Sequence, residues 1–355
     1  MTTRTGHPYH MHDAIYAQPG ALRLLARANA AALTAATARV QRAARVIVTG
    51  IGSSWHAARV GELLLAGVGG LGLRARAIHA FELTRYWPAL DASDALIALS
   101  HRGTTRDTVA ALAAARVAGT ATLAVVGKGA ATTLAADVTL TTVDQEASET
   151  HTVGYTAALA LLAALAAGVG GDETTAHALE SVPDLVATLL GQESWDDLAE
   201  RYGGRRRYYF VGGGPNAATA AEAALKMHEA SYVAALGFDC EEFLHGPWSA
   251  MTAEDALFVV TPAGPARARC LTAARVARAI GAAVIALAPE DDDETADVAS
   301  EVVALPPLPE ALSPLIAIVP LQLFAYHIAM REGANPDATR AESPAHARAR
   351  GMITP

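Results

Sequence analysis

Residues 45–66 read RVIVTGIGSSWHAARVGELLLA, and this stretch decides the fold. Arg45–Thr49 is a short β-rich run closed by Gly50-Ile51-Gly52-Ser53-Ser54. His56–Ala66 then carries apolar residues at helical spacing. A strand, a glycine turn and a helix in that order open a βαβ unit. The grammar recurs downstream. Strands are expected at Ala75–His79, Ala95–Leu99, Thr122–Val126 and Val138–Thr142, with a helix at Asp107–Ala118. After the helical, more polar bridge Asp172–Arg206 it restarts, with strands expected at Tyr208–Val211, Ala256–Thr261, Ala283–Leu287 and Glu301–Leu305. Strands alternating with helices imply parallel sheets covered on both faces. The two rounds lie roughly 160 residues apart, as for two domains of common ancestry. The expected division is an N-terminal tail and helices (1–44), a first domain (45–171), the bridge (172–206), a second domain (207–331) and a C-terminal tail (332–355).

Composition narrows the partners. A net charge of −9 argues against nucleic-acid or anionic-membrane binding, so an anionic small molecule must be held by a local site. Cys240 and Cys270 are too few for a disulfide framework or zinc cluster, which suits a reducing cytoplasm. The opening MTTRTGHPYHMHDAIY has no apolar core of a signal peptide. His151–Gly171 approaches membrane-spanning length, but its Ala/Gly content, threonines and His151 read as a buried helix. His7, His10 and His12 have no metal-ligand context and are expected in a disordered tail. No metal or cofactor is implied.

In a doubly wound sheet, ligands sit outside the carboxyl ends of the strands where the strand order reverses. Two loops are expected there. Gly52, Ser53 and Ser54 lead into a helix N-terminus, and Ser100, His101, Arg102, Gly103, Thr104 and Thr105 follow the third strand. Their hydroxyls and amides either cap helices or converge on a phosphate monoester, with Arg102 adding a charge-assisted contact. Occurring as a pair at the switch point, they favour a ligand. Gly212–Pro215 in the second half lacks hydroxyls and reads as a relic turn.

The other half of the site is expected in AEAALKMHEASYVAALGFDCEEFLHGP, Ala221–Pro247. Glu222, Lys226, Glu229 and Val233 recur at spacings of four, three and four, so a helix puts them on one face before it turns out at Gly237. Two carboxylates and an amine on one face are costly to bury without a function. The chain has only two lysines, Lys128 and Lys226, and otherwise uses arginine.

These residues resemble the tandem SIS (sugar isomerase) family, most closely the isomerase half of glucosamine-6-phosphate synthases. The resemblance covers about residues 45–330 and rests on EAALKMHEASY (Glu222–Tyr232), EFLHGP (Glu242–Pro247) and SPLIAIVPLQLFAYHIA (Ser313–Ala329). It implies two flavodoxin-like, doubly wound parallel-sheet domains in tandem, with the Gly52–Trp55 and Ser100–Thr105 loops binding a sugar phosphate. It implies that Glu229 moves a proton between C1 and C2, that Lys226 lies against the substrate, and that His245, supplied by a neighbouring subunit, opens the sugar ring. A homodimer with a shared active site follows. Glu146 falls where the family has a substrate-side acid, and Glu222 and Glu242 are counted with the ligand-side carboxylates. Glu242 either fixes the His245 tautomer or caps the turn. Lys226 either neutralises an enediolate or pairs with Glu222.

The chain departs from the family pattern in three places. No glutamine-hydrolysing domain and no cysteine near the N-terminus are present, so ammonia from glutamine within this chain is not expected. His101 and Arg102 stand where the family usually has Gln and Ser. The tail NPDATRAES (Asn335–Ser343) carries Glu342 where the synthases place a lysine, and resembles instead the deglycase and amino-sugar deaminase branches. The expected function is therefore isomerisation of a 6-phosphorylated amino sugar or fructosamine, with amine release. The alternatives are a sugar-phosphate-binding regulator without turnover, and the isomerase half of a system whose amidotransferase is a separate chain.

Overall fold

The computed structural model describes residues 4–130, 135–192 and 195–353. Its first sheet contains β1 (Val46–Thr49), β2 (Ala75–Ala77), β3 (Ala95–Leu99), β4 (Ala121–Lys128) and β5 (Val138–Asp144), all parallel, in the order β2-β1-β3-β4-β5. The second contains β6 (Tyr208–Gly212), β7 (Ala235–Asp239), β8 (Ala256–Val260), β9 (Ala283–Pro289) and β10 (Glu301–Leu305). Its order is β10-β9-β8-β6-β7, again all parallel. Read from β7, the two sheets share one winding. The strand order reverses between β1 and β3, and the two loops expected to hold an anion follow those strands.

The turns after β1 and β6 are also alike. Gly52 (φ 62°, ψ −131°) and Gly214 (φ 54°, ψ −127°) adopt one conformation that disfavours a side chain, each just before a helix, Ser53–Ala66 and Pro215–Lys226. The second turn keeps the backbone of the first without its hydroxyls.

One strand differs from the expectation. The helix does not run to Gly237; it ends in a π-turn at Met227–Ser231, and Tyr232 takes a left-handed conformation (φ 61°). The chain then enters β7, with Gly237 in its middle. Gly237 is needed because a Cβ there would lie 2.6 Å from the Ala220 carbonyl oxygen and 2.7 Å from the Ala221 Cα. The strand thus packs directly on the backbone of the Pro215–Lys226 helix. Gly237→Ala should cost about 1–3 kcal/mol, read as a lower urea midpoint with an unchanged slope.

Helices Val153–Gly170 and Pro314–Arg331 are long and apolar enough to span a membrane, but 78% and 83% of each is buried. They are core helices, as read for 151–171. The N-terminal tail is another correction, since it is tied down. Tyr9 and Met11 are buried, and the amides of His10 and Met11 donate to the Asp337 carboxylate at 2.8 and 2.9 Å. His7 Nδ1 lies 2.7 Å from the Tyr326 hydroxyl. Three helices follow (His10–Tyr16, Gln18–Ala28, Ala30–Arg42).

Candidate active site

The helix Ser53–Ala66 of the first domain packs against the helix Pro215–Lys226 of the second, and the charged residues meet at that seam. Lys226 has no exposed side-chain surface, and its Nζ lies 2.5 Å from Glu229 Oε2 and 3.3 Å from Glu222 Oε1. It also donates to Ser53 Oγ at 3.2 Å and to the His151 carbonyl at 3.1 Å. Glu222 is fully buried; it accepts from Ser53 Oγ at 2.8 Å and lies 2.6 Å from His56 Nδ1. Burial works against the Glu222 carboxylate, but Lys226, His56 and Ser53 together hold its pKa below the ordinary range. Burial likewise opposes the Lys226 charge, and the two carboxylates outweigh it and raise the lysine pKa.

Glu229 differs in kind. It sits on the π-turn, a backbone irregularity frequent at functional sites. Its side chain keeps 28% of its surface exposed, while burial pushes its pKa up despite the nearby lysine. Of the three side chains, Glu229 alone keeps exposed surface. Glu222, expected on the ligand side, lies behind the lysine and secures it.

The two loops differ in what already engages them, Ser53 Oγ being held by Glu222 and Lys226. Neither Ser53–Ala66 nor Arg106–Val117 has a side-chain cap at its N-terminus, so their Ser and Thr hydroxyls are not used as caps. Ser100 Oγ lies 3.1 Å from Thr105 Oγ1, and Gly103 (φ 71°) shapes the turn between them. Arg102 is exposed, with no ion-pair partner among the described residues. His101 turns inward, its ring edge-to-face with His151 at 4.8 Å.

Three expected site residues stand apart. Glu146 is spent on the Val153–Gly170 helix, accepting from the Thr152 and Gly154 amides at 2.8 and 2.9 Å. Glu242 is exposed and does not orient His245. Glu241 is the residue beside that ring: His245 Nδ1 is 2.8 Å from its carbonyl and 3.5 Å from its carboxylate. His245 is 73% exposed and touches neither Lys226 nor Glu229 among the described residues. His228 lies off the charged face, its Nε2 accepting the Ala235 amide at 3.1 Å. The Asn335-Pro336-Asp337 turn is held beside the π-turn. Tyr232 donates to the Asn335 carbonyl at 2.7 Å, and Thr150 to that of Pro336 at 2.7 Å.

The sequence reading missed His56, His151, Tyr155 and Tyr232. His56 was legible, lying one helical turn after Ser53. His151 was not, because only the tertiary fold brings the loop after β5 against the loop after β3. A hollow of about 580 Å³ lies elsewhere, between helices Gln18–Ala28, Val153–Gly170 and Glu173–Leu190, and is lined by none of these groups.

The inward histidines predict an acid-sensitive fold. Burial, with Arg102 adding, lowers His101 to about 4; burial, then His101, Lys226 and Arg102, lowers His151 to about 3. An unfolded histidine titrates near 6.5, so below that pH the unfolded chain binds protons that the folded chain refuses. Their contribution to stability is therefore lost as pH falls from about 6.5 toward 4. Glu146 and Glu229, whose carboxyls burial raises, act in the opposite sense. A His101→Gln/His151→Gln variant should lose less Tm over that window than the parent chain.

Comparisons with known proteins agree with this architecture. The SIS domain model matches twice, at residues 40–168 and 204–331. A glutamine–fructose-6-phosphate aminotransferase (isomerizing) of Thermococcus kodakarensis is 32% identical over 96% of this chain. The match spans 58% of that relative's own length, so the chain corresponds to a little over half of it. Among solved structures, tagatose-6-phosphate ketose/aldose isomerase from Escherichia coli superposes with a TM-score of 0.80 at 22% identity, over 96% of this chain and 97% of that one. Glucosamine-6-phosphate deaminase from Thermotoga maritima superposes with a TM-score of 0.72 at 19% identity, over 93% and 97%. The chain belongs to the SIS domain family, with two such domains in tandem.

Proposed function

We propose that this SIS-domain chain is a sugar-phosphate isomerase acting on a 6-phosphorylated amino sugar or fructosamine, with release of the amine. The observation that carries the reading is the partly open, pKa-raised carboxylate of Glu229 on a seam adjoining two uncapped helix N-termini. The loops Gly52–Ser54 and Ser100–Thr105 take the phosphate through backbone amides and hydroxyls. Glu229 removes the C2 proton of an aldose and returns it to C1, or the reverse, for which a carboxylate pKa raised toward neutrality is suited. Lys226 keeps its proton and offsets negative charge as it develops on the enediolate oxygen. Where C2 bears nitrogen, the same proton shift gives a ketimine; addition of water to C2 and loss of the amine leaves the ketose. The deaminase among the structural neighbours supports this branch, as does the Asn335-Pro336-Asp337 turn fixed beside the π-turn.

His245 is proposed as the acid–base group that opens the sugar ring, acting in the site of a second copy. Its 73% exposure and its separation from Glu229 support a role outside its own chain's cluster. The test is proton NMR in D2O with glucosamine 6-phosphate, fructose 6-phosphate with and without ammonium, and fructoselysine 6-phosphate. Loss of the C1 or C2 proton signal, with a new sugar phosphate appearing, is expected for one of them. A sugar phosphate that raises Tm without exchanging a proton would replace this reading with that of a binding regulator.

A further inference from the structure

Three buried polar atoms beside the phosphate loops have no hydrogen-bond partner among the described residues: His101 Nδ1, His151 Nε2 and the Tyr155 hydroxyl. All three side chains line one chamber of about 30 Å³, whose wall is continued by Ser53 and Ser54. Buried polar groups are rarely left unpaired, and three around one space point to something that fills it. The chamber has room for a water molecule, and three partners is the number a buried water usually has.

The surroundings define what fits. Glu146 N–H lies 3.4 Å from His101 Nε2, which makes that nitrogen the acceptor and assigns the proton to Nδ1, one of the unpartnered atoms. Gly154 allows the approach: a Cβ there would lie 3.0 Å from His101 Nδ1 and 2.7 Å from Glu146 Oε1. Both rings are held neutral by burial. Two cations act on these rings and neither lines the chamber: Lys226 is bound to Glu222, Glu229, Ser53 and the His151 carbonyl, and Arg102 is exposed. A lining of neutral donors and acceptors suits a hydroxyl or water, not a phosphate oxygen. Ser53 and His151 belong both to this chamber and to the partners of Lys226, so it borders the proposed site.

We propose that the chamber is a one-oxygen subsite of the sugar-phosphate pocket, taking a neutral oxygen from a ligand hydroxyl or from a water bridging to the ligand. His151, with Tyr155 behind it, is then a specificity-determining residue that separates a sugar phosphate from phosphate alone. This rests on the sugar-phosphate reading above. A site built to hydrogen-bond an oxygen discriminates strongly when that bond is lost.

The test is calorimetric titration of the full chain with glucosamine 6-phosphate, fructose 6-phosphate and inorganic phosphate. His151→Phe should weaken the bound sugar phosphate by about tenfold or more and phosphate by less than about twofold. Tyr155→Phe removes one oxygen without adding volume, so it guards against misfolding of the first variant; about a threefold weakening is expected. Crystal structures with and without the sugar phosphate separate the sources: a chamber water displaced on binding marks a ligand hydroxyl, and one retained against the sugar marks a bridge. Sugar-phosphate binding unchanged in both variants, or a chamber empty in both crystals, overturns this inference alone. A parent chain that binds no sugar phosphate overturns the functional reading and this inference with it.

Discussion

Glu229→Gln is expected to lower kcat for C1–C2 proton exchange by about 10²–10⁴-fold, the usual worth of a positioned general base. The amide keeps the shape of the side chain but cannot take the proton. Folding should survive, because Lys226 retains Glu222, Ser53 and the His151 carbonyl as partners. Ligand affinity should change little, since the proposed phosphate contacts lie on other loops. The pH dependence offers an independent check. Burial raises the Glu229 pKa, so the acid limb of the rate profile should lie above that of an ordinary carboxylate, with activity rising as pH climbs through it. Undiminished deuterium wash-in by Glu229→Gln would remove Glu229 from the mechanism.

Lys226→Met should produce the largest loss of stability, about 3–5 kcal/mol, because it leaves an uncompensated carboxylate in the interior. Glu222 has no exposed side-chain surface and would keep only His56 and Ser53. The cluster also joins the domains, since Ser53 and His56 come from the first and Glu222 and Lys226 from the second. The loss should therefore appear as earlier unfolding of the whole chain in urea. Glu222→Gln added to Lys226→Met should recover a large part of it, because the second change removes the stranded charge. A double variant no more stable than Lys226→Met would show that the lysine acts through packing alone.

Nine of the ten strands were legible, the central ones because a parallel strand buried on both faces is written as an apolar run, as in β3, β6, β8 and β9. The tenth, β7, was not. Its ALGFD carries a glycine that reads as a stop, and only the close approach to the Ala220 backbone shows why the glycine belongs in a strand. The Lys226–Glu229 pairing was legible from helical spacing, but the π-turn beneath it was not, since no local residue pattern announces that irregularity. The N-terminal residues misled for a related reason. A stretch rich in histidine and short of aliphatic residues reads as solvated, yet its backbone amides are claimed by Asp337, more than 300 residues away.

The sequence by itself determined the tandem α/β architecture, the two hydroxyl-bearing turns after the first and third strands and the charged helix face, because each depends on periodicity or turn chemistry within about 20 residues. Only the tertiary structure decided how the charged residues divide their work. Docking the helix Pro215–Lys226 against Ser53–Ala66 buries Glu222 and Lys226 and leaves Glu229 partly open. The same packing turns His101 toward His151 and leaves His245 on the surface. Burial is a property of what lies opposite a residue, and what lies opposite was set by chain more than a hundred residues distant.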